Sequence, residues 1–595
     1  MSAVCTDAQE RNICIMQTKN ELLRALRSID HRGYPAYKSL RGSYDFGNYV
    51  LHIVHVQGDP FASPSELAVT VKARDAQWPA AFCSRYETRV ALQDMILRRF
   101  SSRLREVSGK AGGSGKSGNM SASRPGQEIL DRSACQLGGD GDVTLRFYAG
   151  FPAAGRTVLA GELEKMLFHF LPDIVRDTAV ADAWQEKIIR DVINLAEDQA
   201  FLRSELDRLS LCAFVADGAV LPRESGISQK PLKDALPFRS PEEDRITLNL
   251  PHHGTISGMA VKRGITLIIG GGYHGKSTLL KALERGVYNH IAGDGREYVV
   301  TDETAVKIRA EDGRCVNGDD ISLFINRLPN EKDTTAFFTE NASGSTSQAA
   351  SVVEAMECGS RTLLMDEDTC ATNFMVRDAL MQRIVSADEE PITPFSDRMR
   401  ALYENAGIST VLVAGSSGAF FSRADTIIQM DRYEPKDVTE KVRRIVPSES
   451  KRETASGSSR EEKDRGSGAA FRLDQSRRFP RPGSDFQEQR GRVKHKNLGT
   501  EGFVIGRGET DLRLVEQLAD REQSECLART FLLMAKGDMN GRVNVRSLVN
   551  DWEETFRKEG FGMYGEHGQI SGDMAKPRKE ELAEAISRCR GLVWR

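Results

Sequence analysis

A three-part α/β protein is predicted, with a parallel-sheet core, a fused α+β region ahead of it and a small region behind. Three observations predict it. Between Phe238 and Tyr433 short apolar runs alternate with helix-like segments, and Ile265–Ile269, Thr362–Met365 and Thr410–Val413 have the continuous pattern of strands buried on both faces. One of those runs ends in a glycine-rich turn and another in two carboxylates. The sequence on either side mixes helix and strand signals and is interrupted by two polar, low-complexity stretches.

The chain has 595 residues, more than one core accommodates, so roughly two to four domains are expected. With 39% hydrophobic and 28% charged residues and a formal net charge of -3, the composition is that of a globular protein with no global attraction to nucleic acid or membrane. No run reaches the about 18 apolar residues that cross a bilayer, so no membrane partner is expected. The first residues lack a secretion-type apolar core, and the ten cysteines are scattered without a CxxC pair. Reduced thiols in an intracellular protein are the expectation.

Residues 1–237 form the N-terminal α+β domain. Leu22–Leu26 begin a short amphipathic helix, Tyr49–Val56 read as a strand, and Gln57-Gly58-Asp59-Pro60 as a turn. Residues 108–126 are rich in Gly, Ser and Lys, which predicts a flexible insertion. Helical spacing runs from about Ala160 to Leu209. Residues 238–440 are the core, 441–490 a disordered linker, and 491–595 a C-terminal region packing on the core. That region ends in a helix after Pro577 with Leu582, Ala585, Ile586 and Leu592 on one face.

The run ending at Ile269 leads into Gly270-Gly271-Gly272-Tyr273-His274-Gly275-Lys276-Ser277, followed by Thr278 and a helix-like segment. This matches G-x-x-x-x-G-K-[ST] with the required strand and helix flanks. Such a loop turns backbone N–H groups toward phosphates, and the helix N-terminus adds a favourable dipole. Residues 270–278 are therefore candidate ATP contacts, with Lys276 reaching the β- and γ-phosphates and Ser277 ligating Mg²⁺.

The run Thr362–Met365 ends in Asp366-Glu367. Asp366 is positioned to hold Mg²⁺, and Glu367 to polarise an attacking water, which makes it the candidate catalytic residue. The alternative is a solvated acidic turn. Between the two motifs, Ser343-Gly344-Ser345 open a helix-like stretch 23 residues before Asp366. A small-residue N-cap is one reading; a phosphate-contacting helix N-terminus is the other.

GGGYHGKSTLL (270–280), KIRAEDGR (307–314), TENASGSTSQAA (339–350), LLMDEDTCATNFMVRD (363–378) and EPITPF (390–395) together resemble the predicted ATPases of the ABC class, a family of bacteria and some protists. The likeness extends to HVQGDPFA (55–62), EDQAFLR (197–203), AFVADGAVLPR (213–223), NHIAGDGRE (289–297), VKHKNLG (493–499) and PRKEELAEAI (577–586), nearly the whole chain outside the polar stretches. The resemblance implies an ABC-type P-loop core and a homodimer that sandwiches ATP between one copy's phosphate loop and the other's Ser343, Gly344 and Ser345. It also makes single-stranded RNA a candidate partner, since one kinetoplastid mitochondrial member is associated with RNA editing, and it extends the candidate locations to the mitochondrion.

Two positions depart from ordinary ABC ATPases. Ser416 stands where a switch histidine is expected, and a serine can contact a phosphate oxygen but carries no cation. No glutamine follows AVKIRA; Glu311 takes that place, either as a Mg²⁺-side ligand or in a salt-bridged loop. Two activities follow as alternatives: hydrolysis coupled to domain movement, or a nucleotide-gated scaffold with little turnover. Phe238 is a candidate for stacking on adenine or for the core. Arg477, Arg478, Arg481, Arg490, Arg492, Lys494, His495 and Lys496 read as a nucleic-acid-contacting arm or a solvated linker.

Overall fold

Two patterns of apolar residues, one alternating and one continuous, build two units. The computed structural model describes residues 16–377, 384, 389–415, 417–446, 478–486, 493–565 and 569–595. The first unit takes residues up to Arg124, Asp131–Ile193 and Glu566–Asp573; the second takes Pro125–Leu130, Asn194–Gly565 and Met574–Arg595.

The first unit is organised by a mainly antiparallel sheet. Its central strands are β1 (Gly42–Asp45), β2 (Val50–His55), β3 (Ser65–Val71) and β4 (Val143–Ala149), in that order. In β4 every second residue from Val143 to Ala149 is buried, with Thr144, Arg146 and Tyr148 between them half-exposed. That is the period of a sheet with one face on a core. The core is completed by Leu92, Ile96, Phe100 and Leu104 of helix α1 (Tyr86–Val107). The short amphipathic helix appears as Lys19–Ser28, capped by Thr18 and burying Leu22 and Leu26.

Residues 108–126 do not behave as their composition suggests. Gly109 N–H donates to the Gly118 carbonyl, Ser114 N–H to Ala153 and Lys116 N–H to Pro60. Gly118 has a φ of 71°, and a Cβ there would stand 1.9 Å from the Ala111 carbonyl oxygen. Its glycine serves a tight, hydrogen-bonded turn rather than looseness.

The second unit contains two sheets. An antiparallel one runs in the order β6 (Arg245–Leu250), β7 (Gly254–Lys262), β5 (Leu211–Ala216), β9 (Val299–Thr301). The other has six strands in the order β10 (Val306–Ile308), β11 (Thr362–Asp366), β12 (Ser409–Val413), β8 (Ile265–Ile269), β13 (Thr426–Asp431), β14 (Glu434–Asp437). All its neighbours are parallel except the terminal β13–β14 hairpin. The three apolar runs expected as buried strands are its centre, and Ile265, Leu267, Leu363, Leu364 and Leu412 are fully buried. Helices α2 (Lys276–Arg285) and α3 (Gly344–Cys358) contribute to the cores built on this sheet.

Residues 493–595 supply helices α4 (Arg521–Met534) and α5 (Lys579–Arg588). Leu582, Ala585 and Ile586 are buried on α5 as expected, whereas Leu592 lies beyond the helix, in the strand Leu592–Trp594 paired with Pro480–Pro482. Part of the expected linker is therefore built into the unit: Arg478 and Phe486 are buried. Arg477, Arg490 and Arg492 lie outside the described residues.

Candidate functional site

In a parallel sheet the loops after successive strands share one edge, and ligands collect there. Here β8 ends in the phosphate loop and β11 in Asp366, with β12 between them. The loop is shaped by backbone. Gly270 has a φ of 140°, and a Cβ there would stand 2.4 Å from the Met430 carbonyl oxygen, so the sharp exit from β8 admits no side chain.

Lys276 opens α2 and turns back over the loop, donating from Nζ to the Gly270 and Gly271 carbonyl oxygens at 2.8 Å each. Ser277 Oγ donates to Asp366 Oδ2 at 3.1 Å, which joins the two motifs directly. Asp366 is buried; its other oxygen accepts from the Asp368 N–H at 3.2 Å. Glu367 Oε2 accepts from the Gly415 N–H at 2.7 Å, just past β12. The two expected motifs are thus brought together, and Glu367 is held at the loop that follows the intervening strand. Ser416 itself lies outside the described residues.

A support that motif reasoning missed comes from the β13–β14 hairpin. Its Arg432 N–H donates to His274 Nδ1 at 3.1 Å, and Tyr433 N–H donates to the His274 carbonyl at 3.2 Å. Arg432 and Tyr433 have φ values of 51° and 73°. Two consecutive left-handed residues are the mark of a tight hairpin turn, although neither is the Gly, Asn or Asp that would announce one. At the tip of the loop Tyr273, with a φ of 63°, is 99% exposed.

Ser343 caps α3, its Oγ accepting from the Thr346 N–H at 3.5 Å and lying 3.0 Å from the Thr346 hydroxyl. Gly344 is the first residue of the helix, and Ser345 is buried beside Ser343 at 3.3 Å between hydroxyls. The cap reading is realised within the chain, and none of these hydrogen bonds reaches residues 270–278.

Glu311 is corrected from an open Mg²⁺-side ligand to a buried ion-pair partner. Its oxygens meet the Arg588 guanidinium at 3.0 and 2.5 Å, and Ser351 Oγ donates to it at 3.4 Å. Burial alone would raise its pKa, but the charges of Arg588 and Arg314 outweigh that and hold it below the ordinary carboxylate range. Phe238 is likewise a core residue, 4% exposed among Leu221, Met259 and Leu280.

Mg²⁺ bound with a nucleotide takes one or two protein oxygens and fills the rest from phosphates and water. Ser277 Oγ and Asp366 Oδ2 are a donor pair of that kind. Among the described residues there is no cluster of three or more His, Cys, Asp or Glu that could hold a metal ion.

Three family models match successive stretches of the chain: the ABC_ATPase P-loop domain over residues 185–465, "ATPase of the ABC class N-terminal" over 19–182, and the MRB1590 C-terminal domain over 494–595. The chain belongs to the ATPases of the ABC class. A curated relative, the uncharacterized protein MJ1628 of Methanocaldococcus jannaschii, is 31% identical over 232 residues, covering 37% of this chain. The chain spans 48% of that relative's length. Solved structures with similarity include MJ1267, an ATP-binding cassette of an ABC transporter in its ADP conformation (13% identity, TM-score 0.22, 32% of this chain and 87% of that one). CbiO1 of Clostridium perfringens, part of an ABC transporter complex, gives 12% identity and a TM-score of 0.24, covering 38% of this ABC-class chain and 87% of that one. A bacterial Atm1-family ABC exporter with ATP bound gives 16% identity and a TM-score of 0.24 over 50% and 52%. Among the described residues no helix is long and apolar enough to cross a membrane.

Proposed function

We propose that this chain binds ATP with Mg²⁺ and hydrolyses it at a site completed by a second copy of itself. The observation that carries this reading is the Ser277–Asp366 hydrogen bond beside Glu367, which joins phosphate loop and acidic pair into one arrangement. When bound, Mg²⁺ would be held by Ser277 and Asp366 and would neutralise phosphate charge. Lys276, now satisfied by two loop carbonyls, swings onto the β- and γ-phosphates as they replace those contacts. Glu367 orients a water and accepts its proton. Ser343, Gly344 and Ser345 of the second copy supply a hydroxyl and helix N-terminal N–H groups to the γ-phosphate.

The test is steady-state phosphate release by Glu367→Gln, expected to fall roughly 10²–10⁴-fold, the usual worth of a general base. ATP binding should persist, and sedimentation with ATP should show a trapped dimer that Ser343→Arg abolishes. Turnover equal to that of the parent would overturn the assignment. The nucleotide-gated scaffold differs from this reading in one measurable quantity, a parent turnover indistinguishable from that of Glu367→Gln.

Coupling to single-stranded RNA is the more distant part of the proposal and rests on the family alone. Arg98, Arg99 and Arg103 of α1 are engaged internally, by Asp94, by the Ala183 carbonyl and the Trp184 ring, and by Glu106 and Asp177. Arg105 is exposed. Anisotropy of a labelled oligouridine at low salt, with and without ATP, decides it: binding that falls steeply with salt is expected, and no binding at low salt removes RNA.

A further inference from the structure

The outward face of the first unit's sheet holds a chemistry that the nucleotide site does not use. A cavity of about 540 Å³ lies against β1–β4 and is closed on one side by Gln569, Ile570 and Gly572. That volume is in the range of small-ligand pockets, roughly 300–1,000 Å³. Among its walls are Arg41, His52, Glu66, Thr70, Thr144 and Arg146.

Arg146 is the unusual member. Its backbone is fixed by β3 and by its own N–H, which donates to the Ala134 carbonyl at 2.8 Å, and its Nη1 donates to the Ser133 carbonyl at 2.6 Å. Gly572 packs against its stem, where a Cβ would stand 2.7 Å from Arg146 Cβ. No carboxylate among the described residues forms an ion pair with it, whereas Arg223 pairs with Asp294, Arg314 with Glu354 and Arg588 with Glu311. Arg203 and Arg296, which also have no ion pair among the described residues, each donate to two or more carbonyl or amide oxygens instead. Burial pushes its pKa down to about 10, yet a guanidinium there still carries its charge at neutral pH. A partly buried charge with no counter-charge among the described residues is costly, and this one lines a cavity.

Beside it runs a ladder of side chains across four strands. Ser43 Oγ lies 2.9 Å from His52 Nδ1, His52 Nε2 3.2 Å from Thr70 Oγ1, and Thr70 Oγ1 3.3 Å from Thr144 Oγ1. Burial, then the charges of Arg146 and Lys72, holds His52 below its ordinary imidazole range. A neutral imidazole has one donor and one acceptor, so the ladder can run in a single direction at a time. Running from Ser43 toward Thr144, it leaves the Thr144 hydroxyl proton to be donated onward, one register step along β4 from Arg146. The cavity therefore presents a guanidinium and a hydroxyl donor, with Arg41 in its wall and Glu66 as the acidic lining residue among the described residues.

We infer that this cavity binds the oxyanion group, phosphate or carboxylate, of a small organic ligand, with Arg146 as its counter-charge and Thr144 as a directed donor. The site is separate from the phosphate loop and does not depend on hydrolysis there.

The experiment uses the full chain with Lys276→Ala, which weakens anion binding at the phosphate loop. Calorimetric titrations with inorganic phosphate and with malonate are paired with hydrogen–deuterium exchange. Saturable binding of at least one anion, with added protection in 65–71 and 143–149, is expected; the tighter anion identifies the ligand's group. Arg146→Gln should weaken binding roughly tenfold or more, the scale of a charge-assisted hydrogen bond, and Thr144→Val several-fold. Should Arg146→Gln fail to fold, the near-isosteric Thr144→Val at its half-exposed position decides alone. No saturable binding of either anion, protection confined to 270–285, or binding unchanged in Thr144→Val would overturn the inference.

Discussion

The phosphate loop and helix α3, proposed above as the two halves of a site shared by two copies, are held in different ways. The loop is fastened by single hydrogen bonds rather than by ion pairs between side chains: Lys276 to its own loop carbonyls, His274 to the hairpin, Ser277 to Asp366. Helix α3 is fastened by buried charges. Glu354 accepts from Arg314 at 2.7 Å and lies near Arg478 and Arg588; Arg478 also pairs with Glu357 and, at 3.1 Å, with Asp319. Arg588 closes the network on Glu311, beside the turn that meets α3 through Ser347. Two of its cations come from residues after position 477. The phosphate loop is held by the core itself, whereas α3 is stiffened by the C-terminal region.

Breaking the second arrangement should have the largest effect. Arg588→Met leaves Glu311 and Glu354 buried with less compensation, and a loss of about 3–5 kcal/mol in denaturant unfolding is expected. Adding Glu311→Leu should restore much of it, because the uncompensated charge is then gone; no recovery would mean that Arg588 acts mainly through packing. Next comes Gly270→Ala, where strain and the Met430 contact predict a cost of about 1–3 kcal/mol and weaker ATP binding, read by calorimetry. This variant tests whether the loop is as locally determined as its bonds suggest.

A third test lies wholly in the C-terminal region. Burial would raise the pKa of Glu525, but the hydrogen bond from His495 and the charge of Arg529 overcome it and hold it at about 2. A depressed carboxylate stabilises the fold above its ordinary value of 4.5 and loses that contribution as pH falls toward 2. Glu525→Gln should therefore cost roughly 2 kcal/mol at pH 7, a gap that narrows between these pH values in parallel melts. A constant gap would exclude the charge interaction as its cause. The smallest effect is expected for Tyr273→Gly. Relief of the left-handed conformation and the greater freedom of unfolded glycine oppose each other, so stability should change by less than about 1 kcal/mol. A loss of ATP-driven dimerisation without a stability change would then mark Tyr273 as a contact to the second copy.

What could be read from sequence follows the same division. Ile265–Ile269, Gly270–Ser277 and Asp366-Glu367 are local strings whose order and flanks carry their meaning, and each occupies its expected place in the sheet. Glu311 and Arg588 stand 277 positions apart, and no periodicity links two charges that meet only after folding. The same holds for Arg478, which composition assigned to a solvated linker or an arm and the fold buries. Residues 108–126 were misjudged for a different reason: glycine content measures permitted backbone angles, and a tight turn needs the same residue as a loose chain. The hairpin at Arg432-Tyr433 gave no turn signal because neither residue is a customary left-handed one.

The place of β12 has a consequence for how the protein is made. It lies between the strand of the phosphate loop and the strand of the acidic pair, yet it is synthesised after both. β8 waits for β12 while the ribosome adds the residues from Ser277 to Val413, on the order of ten seconds at ordinary elongation rates, and β11, once made, waits a shorter time with its β12-facing edge unpartnered. The nucleotide site cannot close in that interval. A chaperone that shields strand edges, or a pause in translation just beyond β12, would act on this protein more strongly than on one whose two motifs lie on adjacent strands.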